Sequence, residues 1–220
     1  MLLLAVDTSG KRGSIALARG QDDGSCELIE SVPLEGGTFS AQLVPQIAAL
    51  LARQGFKKEQ IGGFAVASGP GSFTGLRVGL AAVKGLAEVL QKPVATVSLL
   101  EAVASAPSIG GSVWAALDAG RQQAYLGHYA LETEGTVCDE QLVGFDEIGG
   151  KVCGRLITPD DSVAAAARAG GIEIEQITYP GSEAIARLGW AKLRAGQVVS
   201  PESLEANYIR RSDAEIFSKP

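Results

Sequence analysis

The chain has 220 residues, of which 46% are hydrophobic, 5% aromatic and 20% charged, and its formal net charge is −6. This apolar content can bury a sizeable core, which excludes a disordered chain. The acidic balance excludes a protein that binds nucleic acid on its own by neutralising phosphates with clustered lysine and arginine. The only histidine, His128, excludes a metal site built from two or three histidines.

The apolar run at residues 1–6 has no basic flank and is too short for a signal peptide, so we interpret it as a strand. No later run approaches the roughly 18 apolar residues that a membrane span requires. The cysteines Cys26, Cys138 and Cys153 are odd in number and lack Cys-x-x-Cys spacing, which favours a reducing compartment. We expect a cytoplasmic protein that contacts no membrane and binds no metal.

The first half of the chain alternates strand and helix patterns, which is typical of an α/β fold. A meander of three antiparallel strands is predicted first, followed by a helix, a strand, a helix, a strand and a short helix. The predicted segments are 2–7, 14–19 and 26–32 for the meander, a helix ending near Gln54, and then 63–68, 74–90, 93–98 and 99–106.

The second half repeats the opening pattern of the first. Ala-Leu-Asp-Ala-Gly-Arg at 116–121 resembles Ala-Val-Asp-Thr-Ser-Gly at 5–10. Each segment is followed by a second alternating strand, at 14–19 in the first half and at 123–131 in the second half. Strands at 136–143 and 173–178 and helices at 162–168 and 182–193 complete the prediction. A duplicated hairpin lobe explains the echo, and we expect two closely packed lobes at 1–106 and 107–220.

The loop Gly-Pro-Gly-Ser-Phe-Thr-Gly at 69–75 joins a predicted buried strand to an amphipathic helix. Glycines permit close backbone approach, and N–H groups at a helix start favour an anion, so one interpretation is a phosphate loop using Gly69, Gly71, Ser72, Thr74 and Gly75. The other interpretation is a tight turn capped by Ser72 or Thr74. The glycine spacing matches neither a Walker A loop nor the dinucleotide fingerprint.

Two acidic residues lie at matching strand ends: Asp7, followed by Thr8 and Ser9, and Asp118. Acidic strand ends that face one cleft would suit a magnesium-nucleotide site. Alternatively, each carboxylate closes its own turn, as short acidic side chains readily do. We favour turn closure, because the sequence offers no further ligand candidates.

No catalytic residue is predicted. His128 lies in an alternating, strand-like run, which favours a packed or surface histidine over a catalytic one. No Gly-x-Ser-x-Gly elbow occurs, and no basic neighbour in sequence marks a cysteine as reactive.

The run Gly-Pro-Gly-Ser-Phe-Thr-Gly-Leu-Arg at 69–77, together with Leu-Ala-Val-Asp-Thr-Ser at 4–9, resembles the TsaB family, also called YeaZ. The segments at 84–87, 97–100, 116–121 and 206–210 fit the same pattern, whereas 132–184 matches only loosely. The resemblance implies an actin-like (ribonuclease H-like) α/β fold of two related lobes.

The resemblance also implies an accessory, non-catalytic subunit required for threonylcarbamoyl transfer to the adenosine beside the anticodon of tRNAs that read codons beginning with adenine. In such systems the catalytic paralogue TsaD binds metal through a His-x-x-x-His pair, which a chain with one histidine cannot form, and the ATPase TsaE completes the complex. We expect this chain to bind and stabilise TsaD, to reach tRNA only through the complex, and to form a homodimer when alone. It is expected to bind no cofactor itself, and ATP or ADP at the complex interface stays open.

The family's pairing surface is built from the first two helices. Carried onto this chain, the implied interface comprises Phe39, Leu43, Val44, Ile47, Leu50, Leu51, Leu76, Val78, Leu80, Val83, Lys84 and Leu86. Apolar residues exceed what one core-facing stripe needs, and we expect roughly half to face the lobe's own core. A charge at Ile47 or Leu80 should then abolish pairing in a chain that still folds.

An independent small-molecule kinase or acyltransferase of the same fold is the main alternative. Asp7, Asp118 and the 69–75 loop would then hold magnesium nucleotide. The sequence identifies no catalytic base and no adenosine-binding segment in the second lobe to support this function.

Overall fold

A computed structural model describes residues 1–106, 111–130 and 136–210. These residues form two five-stranded sheets and six α-helices, and they divide into two compact units. The first unit consists of Met1–Leu99 and Pro180–Ala206, and the second of Leu100–Tyr179 with the segment from Asn207 onward.

The strands are β1 (Leu2–Asp7), β2 (Arg12–Gly20), β3 (Cys26–Glu35), β4 (Ile61–Gly69), β5 (Val94–Ser98), β6 (Ser112–Gly120), β7 (Gln123–Ala130), β8 (Thr136–Gly144), β9 (Arg155–Thr158) and β10 (Glu173–Gln176). The α-helices are α1 (Phe39–Arg53), α2 (Phe73–Leu90), α3 (Leu99–Ala104), α4 (Ile148–Lys151), α5 (Asp161–Ala169) and α6 (Ser182–Arg194).

Both sheets have the same topology. The first has the order β3-β2-β1-β4-β5, in which β1, β2 and β3 are antiparallel while β4 and β5 run parallel to β1. The second has the order β8-β7-β6-β9-β10 with the same pattern of directions. The strand that ends in Asp7 therefore corresponds to the strand that contains Asp118, as the internal echo predicts.

Strand β1 lies at the centre of the first unit and is buried along all six residues. Its residues Leu2, Leu4 and Val6 belong to the core cluster that α1 and α2 cover. The opposite face is covered by α6, which contacts all five strands and lies against Ala65 of β4 at Gly189. A strand covered on both faces must be apolar throughout, which explains the continuous run Leu-Leu-Leu-Ala-Val.

In the core of the second unit α5 packs against β6, β9 and β10, and α4 packs against α5. Its buried residues include Ala116, Leu126, Leu156 and Val163. The segment after residue 206 is tied to this sheet, because the Asn207 side chain donates to Glu140 Oε2 at 2.5 Å and the Arg210 side chain donates to Gln123 Oε1 at 2.5 Å.

The predicted meander, the helices α1, α2, α3, α5 and α6 and the strands β4 to β8 and β10 are confirmed, with ends shifted by a few residues. Leu131, placed at the end of a predicted strand, lies outside the described residues. The sequence analysis missed β9 and α4. The compact units also differ from the expected 1–106 and 107–220, because α6 and the residues after it return to the first unit.

Two helical glycines give a matched test of the α6 packing. A Cβ at Gly189 would lie 2.3 Å from the Cβ of Ala65, whereas a Cβ at Gly85 of α2 would meet nothing within 4 Å. We expect Gly189→Ala to destabilise the fold by about 1–3 kcal/mol through overpacking. Gly85→Ala should stabilise it by about 0.5–1 kcal/mol through helix propensity. Urea unfolding midpoints measure both, and equal shifts in the same direction would contradict the packing of α6 on β4.

Candidate functional site

Asp7 ends β1 and is 2% exposed. Its Oδ1 accepts two hydrogen bonds from Ser9, one from the backbone N–H at 2.9 Å and one from the hydroxyl at 2.5 Å. Burial raises the pKa of Asp7 above its ordinary value, and this effect exceeds the opposing effect of the two Ser9 hydrogen bonds; the nearby Glu183 carboxylate raises the pKa further. The carboxylate thus closes a buried turn at the strand end.

Asp118 has the same local role in the second unit but is exposed. Its Oδ1 accepts from the Gly120 N–H at 2.6 Å, and its Oδ2 accepts from the Ser162 hydroxyl at 2.6 Å. Its own N–H donates to Asp160 Oδ2 at 2.8 Å, which ties β6 to the start of α5. Each acidic residue therefore closes its own strand-end turn through Oδ1, and Asp118 also bonds to the start of α5.

The 69–75 loop uses several of its polar groups to hold α2 against the end of β1. The Ser72 N–H donates to the Ser9 carbonyl at 2.7 Å, and the Thr8 hydroxyl donates to the Gly75 carbonyl at 2.8 Å. Ser72 is the N-cap of α2, since its hydroxyl accepts from the Gly75 N–H at 3.3 Å. The loop is thus a capped strand-to-helix turn.

The glycines of this loop have a steric purpose. A Cβ at Gly75 would lie 2.0 Å from the Thr8 carbonyl oxygen, and one at Gly71 would lie 2.4 Å from the Ser9 carbonyl oxygen. No side chain fits between these backbones. The residues singled out at the end of β1 and those of the 69–75 loop are therefore brought together as structural neighbours in the first unit, whereas Asp118 lies in the second unit.

Most of the residues expected at a partner interface lie in the core of the first unit. Eight are buried: Phe39, Leu43, Ile47, Leu50, Leu51, Leu76, Leu80 and Val83. This corrects the expectation that about half would be exposed, and it removes Ile47 and Leu80 as surface positions. Val78 and Leu86 are half-buried, and Lys84 donates to the Glu202 carbonyl at 3.3 Å.

A different set of small apolar residues forms the exposed side of α1 and α2, which pack against each other. Val44 is 55% exposed and Val89 is 76% exposed. We call this surface the helix-pair face, and its residues are Ala41, Val44 and Ala48 on α1 and Val78, Ala81, Gly85 and Val89 on α2. Only Val44 and Val78 were singled out from the sequence, although spacings of three and four residues connect all members on each helix.

A pocket of about 380 Å³ lies at the amino-terminal ends of the same two helices. Its walls come from the β1–β2 turn, the β3–α1 loop and the first turns of α1 and α2. The lining residues are Gly10, Lys11, Gly36, Gly37, Phe39, Ser40, Ser72, Thr74, Gly75 and Val78. Sequence reasoning did not find this pocket, because its residues come from three separate segments of the chain.

Within the described ranges, no helix is long and apolar enough to span a membrane. The same residues include no group of three His, Cys, Asp or Glu side chains placed to hold a metal ion.

Comparisons with known proteins place this geometry in a family. A family model described as "TsaD: tRNA N6-adenosine threonylcarbamoyltransferase" matches residues 36–181, which is more than half of the chain. The solved structure of YeaZ from Pseudomonas aeruginosa superposes with a TM-score of 0.76 at 24% identity, covering 94% of this chain and 99% of that one. The chain therefore belongs to the TsaD family and shares the fold of YeaZ.

Two curated relatives place it more closely. The tRNA threonylcarbamoyladenosine biosynthesis protein TsaB of Haemophilus influenzae is 35% identical over 136 residues, covering 60% of this chain. The protein of the same name from Bacillus subtilis is 35% identical over 130 residues, covering 59% of this chain. The matched region spans 55% of each relative's length. The chain belongs to the TsaB (YeaZ) family.

The raised pKa of Asp7 makes a prediction about stability and pH. Because burial disfavours the carboxylate, the folded state retains this proton to a higher pH than the unfolded state. The wild type should therefore lose stability relative to Asp7→Asn as the pH rises from about 4 towards neutrality. The amide oxygen of asparagine can still accept from Ser9. Urea unfolding of both proteins between pH 3 and 7 measures this, and a difference that stays constant with pH would contradict the burial argument.

Proposed function

We propose that the chain is an accessory, non-catalytic subunit for threonylcarbamoyladenosine modification of tRNA, and that it binds and stabilises a TsaD-type catalytic paralogue through the helix-pair face. The observation that carries the proposal is this exposed apolar face in a member of the TsaB family. In the proposed assembly tRNA is contacted through the complex, the ATPase TsaE joins the pair, and ATP or ADP binds at the interface.

The chemistry of the helix-pair face suits a partner made of helices. Alanine, glycine and valine are small residues that project little from the helix surface. A second pair of helices can therefore approach at interaxial distances of about 8–10 Å. Val44 and Val89 expose most of their surface in the single chain, and each valine contributes up to about 1.5–3 kcal/mol when fully buried. A paralogue of the same fold would present its own α1–α2 pair in return.

Two further observations support a binding role over an independent kinase or acyltransferase. The sequence contains one histidine, so it cannot form the His-x-x-x-His pair that the family resemblance implies for the catalytic paralogue. Asp7 and Asp118, the acidic residues that a magnesium nucleotide would require, already accept hydrogen bonds within the protein, Asp7 from Ser9 and Asp118 from Gly120 and Ser162. In the absence of the paralogue, two copies of this chain would pair with each other through the helix-pair face.

A charge on the helix-pair face should break the complex without unfolding the chain. We expect Val44→Asp to raise the Kd for the cognate catalytic paralogue more than tenfold, because the partner would bury an unpaired carboxylate. Size-exclusion chromatography with light scattering measures the complex, and a threonylcarbamoylation assay with and without this chain measures its consequence. Threonylcarbamoyl transfer by this chain alone, or tRNA modification that does not depend on this chain, would contradict the accessory role.

Two control variants separate surface from core. Leu28→Asp places the same charge at an apolar residue of β3 that is 47% exposed and lies off the helix-pair face. It should leave both stability and pairing unchanged. Ile47→Asp, in the core of the first unit, should unfold it, because the charge is buried without a partner. If Leu28→Asp weakens pairing as much as Val44→Asp, the helix-pair face is not the binding surface.

A further inference from the structure

The pocket at the helix starts has an unusual electrostatic character for this acidic chain. Lys11 is its one charged lining residue, and none of the ten lining residues is acidic. Within the described part of the chain, Lys11 forms no ion pair with a carboxylate. The hydroxyls of Ser40, Ser72 and Thr74 add polar groups to the wall. The one charge among the lining residues is thus positive, in a protein of net charge −6.

The two helices strengthen this character. Neither α1 nor α2 has an acidic residue in its first turn, where acidic side chains usually offset the positive end of the helix dipole. The N-cap residue of α1, Thr38, makes no capping hydrogen bond with its side chain; its hydroxyl donates to the Glu35 carbonyl at 3.2 Å instead. The first N–H groups of α1 are among those that a helix leaves without an internal acceptor.

The pocket is continuous with the helix-pair face. Val78 belongs to both, and Ser40 lies four residues before Val44, one turn earlier on the same side of α1. On α2, Thr74 lies four residues before Val78 in the same way. A partner seated on the helix-pair face would therefore cover the mouth of the pocket with its own side chains.

We propose that this pocket receives an acidic side chain, aspartate or glutamate, of the paralogue that binds the helix-pair face. The inference rests on the proposed function and adds the chemistry of its contact. The carboxylate binds the Lys11 ammonium and the hydroxyls, while Phe39 and Val78 form the apolar part of the wall. Exclusion of water by the docked helices strengthens the ion pair relative to one on an open surface.

The test uses variants of Lys11 in the full chain with its cognate catalytic paralogue. Kd is measured by isothermal titration calorimetry between 50 and 500 mM NaCl. In a separate experiment Kd in 20 mM phosphate is compared with Kd in chloride of the same ionic strength. We expect Lys11→Gln to weaken binding about tenfold and Lys11→Glu more, because the partner's carboxylate loses its counter-charge or meets a like charge. Lys11→Arg should retain most of the affinity. The slope of log Kd against the logarithm of the NaCl concentration should be smaller for Lys11→Gln than for the wild type.

The matched control is Lys58→Glu, an exposed lysine that follows the other end of α1. It should change Kd less than twofold.

If Lys11→Glu binds as the wild type does while Val44→Asp loses the complex, the acidic contact is overturned and the proposed function stands. If 20 mM phosphate leaves Kd unchanged in Lys11→Gln but weakens binding by the wild type, the anion competes for the pocket as expected. If the wild type forms no complex, the proposed function fails and this inference falls with it.

Discussion

The approach of α2 to the carboxyl end of β1 is the constraint on which the rest of the first unit depends. Added Cβ atoms at Gly71, Gly75 and Gly79 would lie 2.4, 2.0 and 2.3 Å from oxygen atoms of Ser9, Thr8 and Thr8, respectively. Backbone therefore meets backbone at Gly71 and Gly75, the Thr8 side chain meets the helix at Gly79, and two hydrogen bonds cross the contact. The position of α2 determines where α1 can pack, and the two helices together define both the apolar face and the pocket.

The same contact explains why a loop with the composition of a phosphate-binding loop has another role here. Glycine permits close approach whether the approaching group is a ligand phosphate or another strand of backbone. In this chain the Ser72 N–H and the Thr8 hydroxyl bond within the protein. The residues of the helix starts that remain accessible to a binding partner line the pocket, together with Lys11 and the β3–α1 loop.

Most of the fold could be predicted from the sequence, because its strands and helices carry strong apolar periods. The internal echo at Asp7 and Asp118 also identified the duplicated sheet topology. β9 was missed because four residues, Arg-Leu-Ile-Thr, are too few to establish a period. Its flanks, Gly154 at a φ of 92° and Pro159, are the signal that could have revealed it. The family model and the YeaZ structure confirm the fold.

The candidate site was less predictable, for a physical reason. In α1 and α2 several outer positions are alanine, glycine or valine, so apolar residues extend beyond the core-facing stripe and the apolar pattern alone does not distinguish core from surface. Large residues such as Leu50 and Leu76 were chosen as contacts, yet large residues fill cores, and the exposed face consists of small ones. The pocket depends on three segments that meet only in the folded chain.

The path of the chain has a consequence for how the protein is made. The first unit needs residues 180–206 to cover one face of its sheet, yet residues 100–179 of the second unit are synthesised before them. At about 5–20 residues per second, the ribosome needs roughly 5–20 s to pass from residue 99 to residue 206. During that interval the face of the sheet that α6 will cover, including Leu3, Ala5 and Ala65, has no helix to bury it. A nascent chain of this kind is exposed to chaperones and to aggregation until α6 emerges.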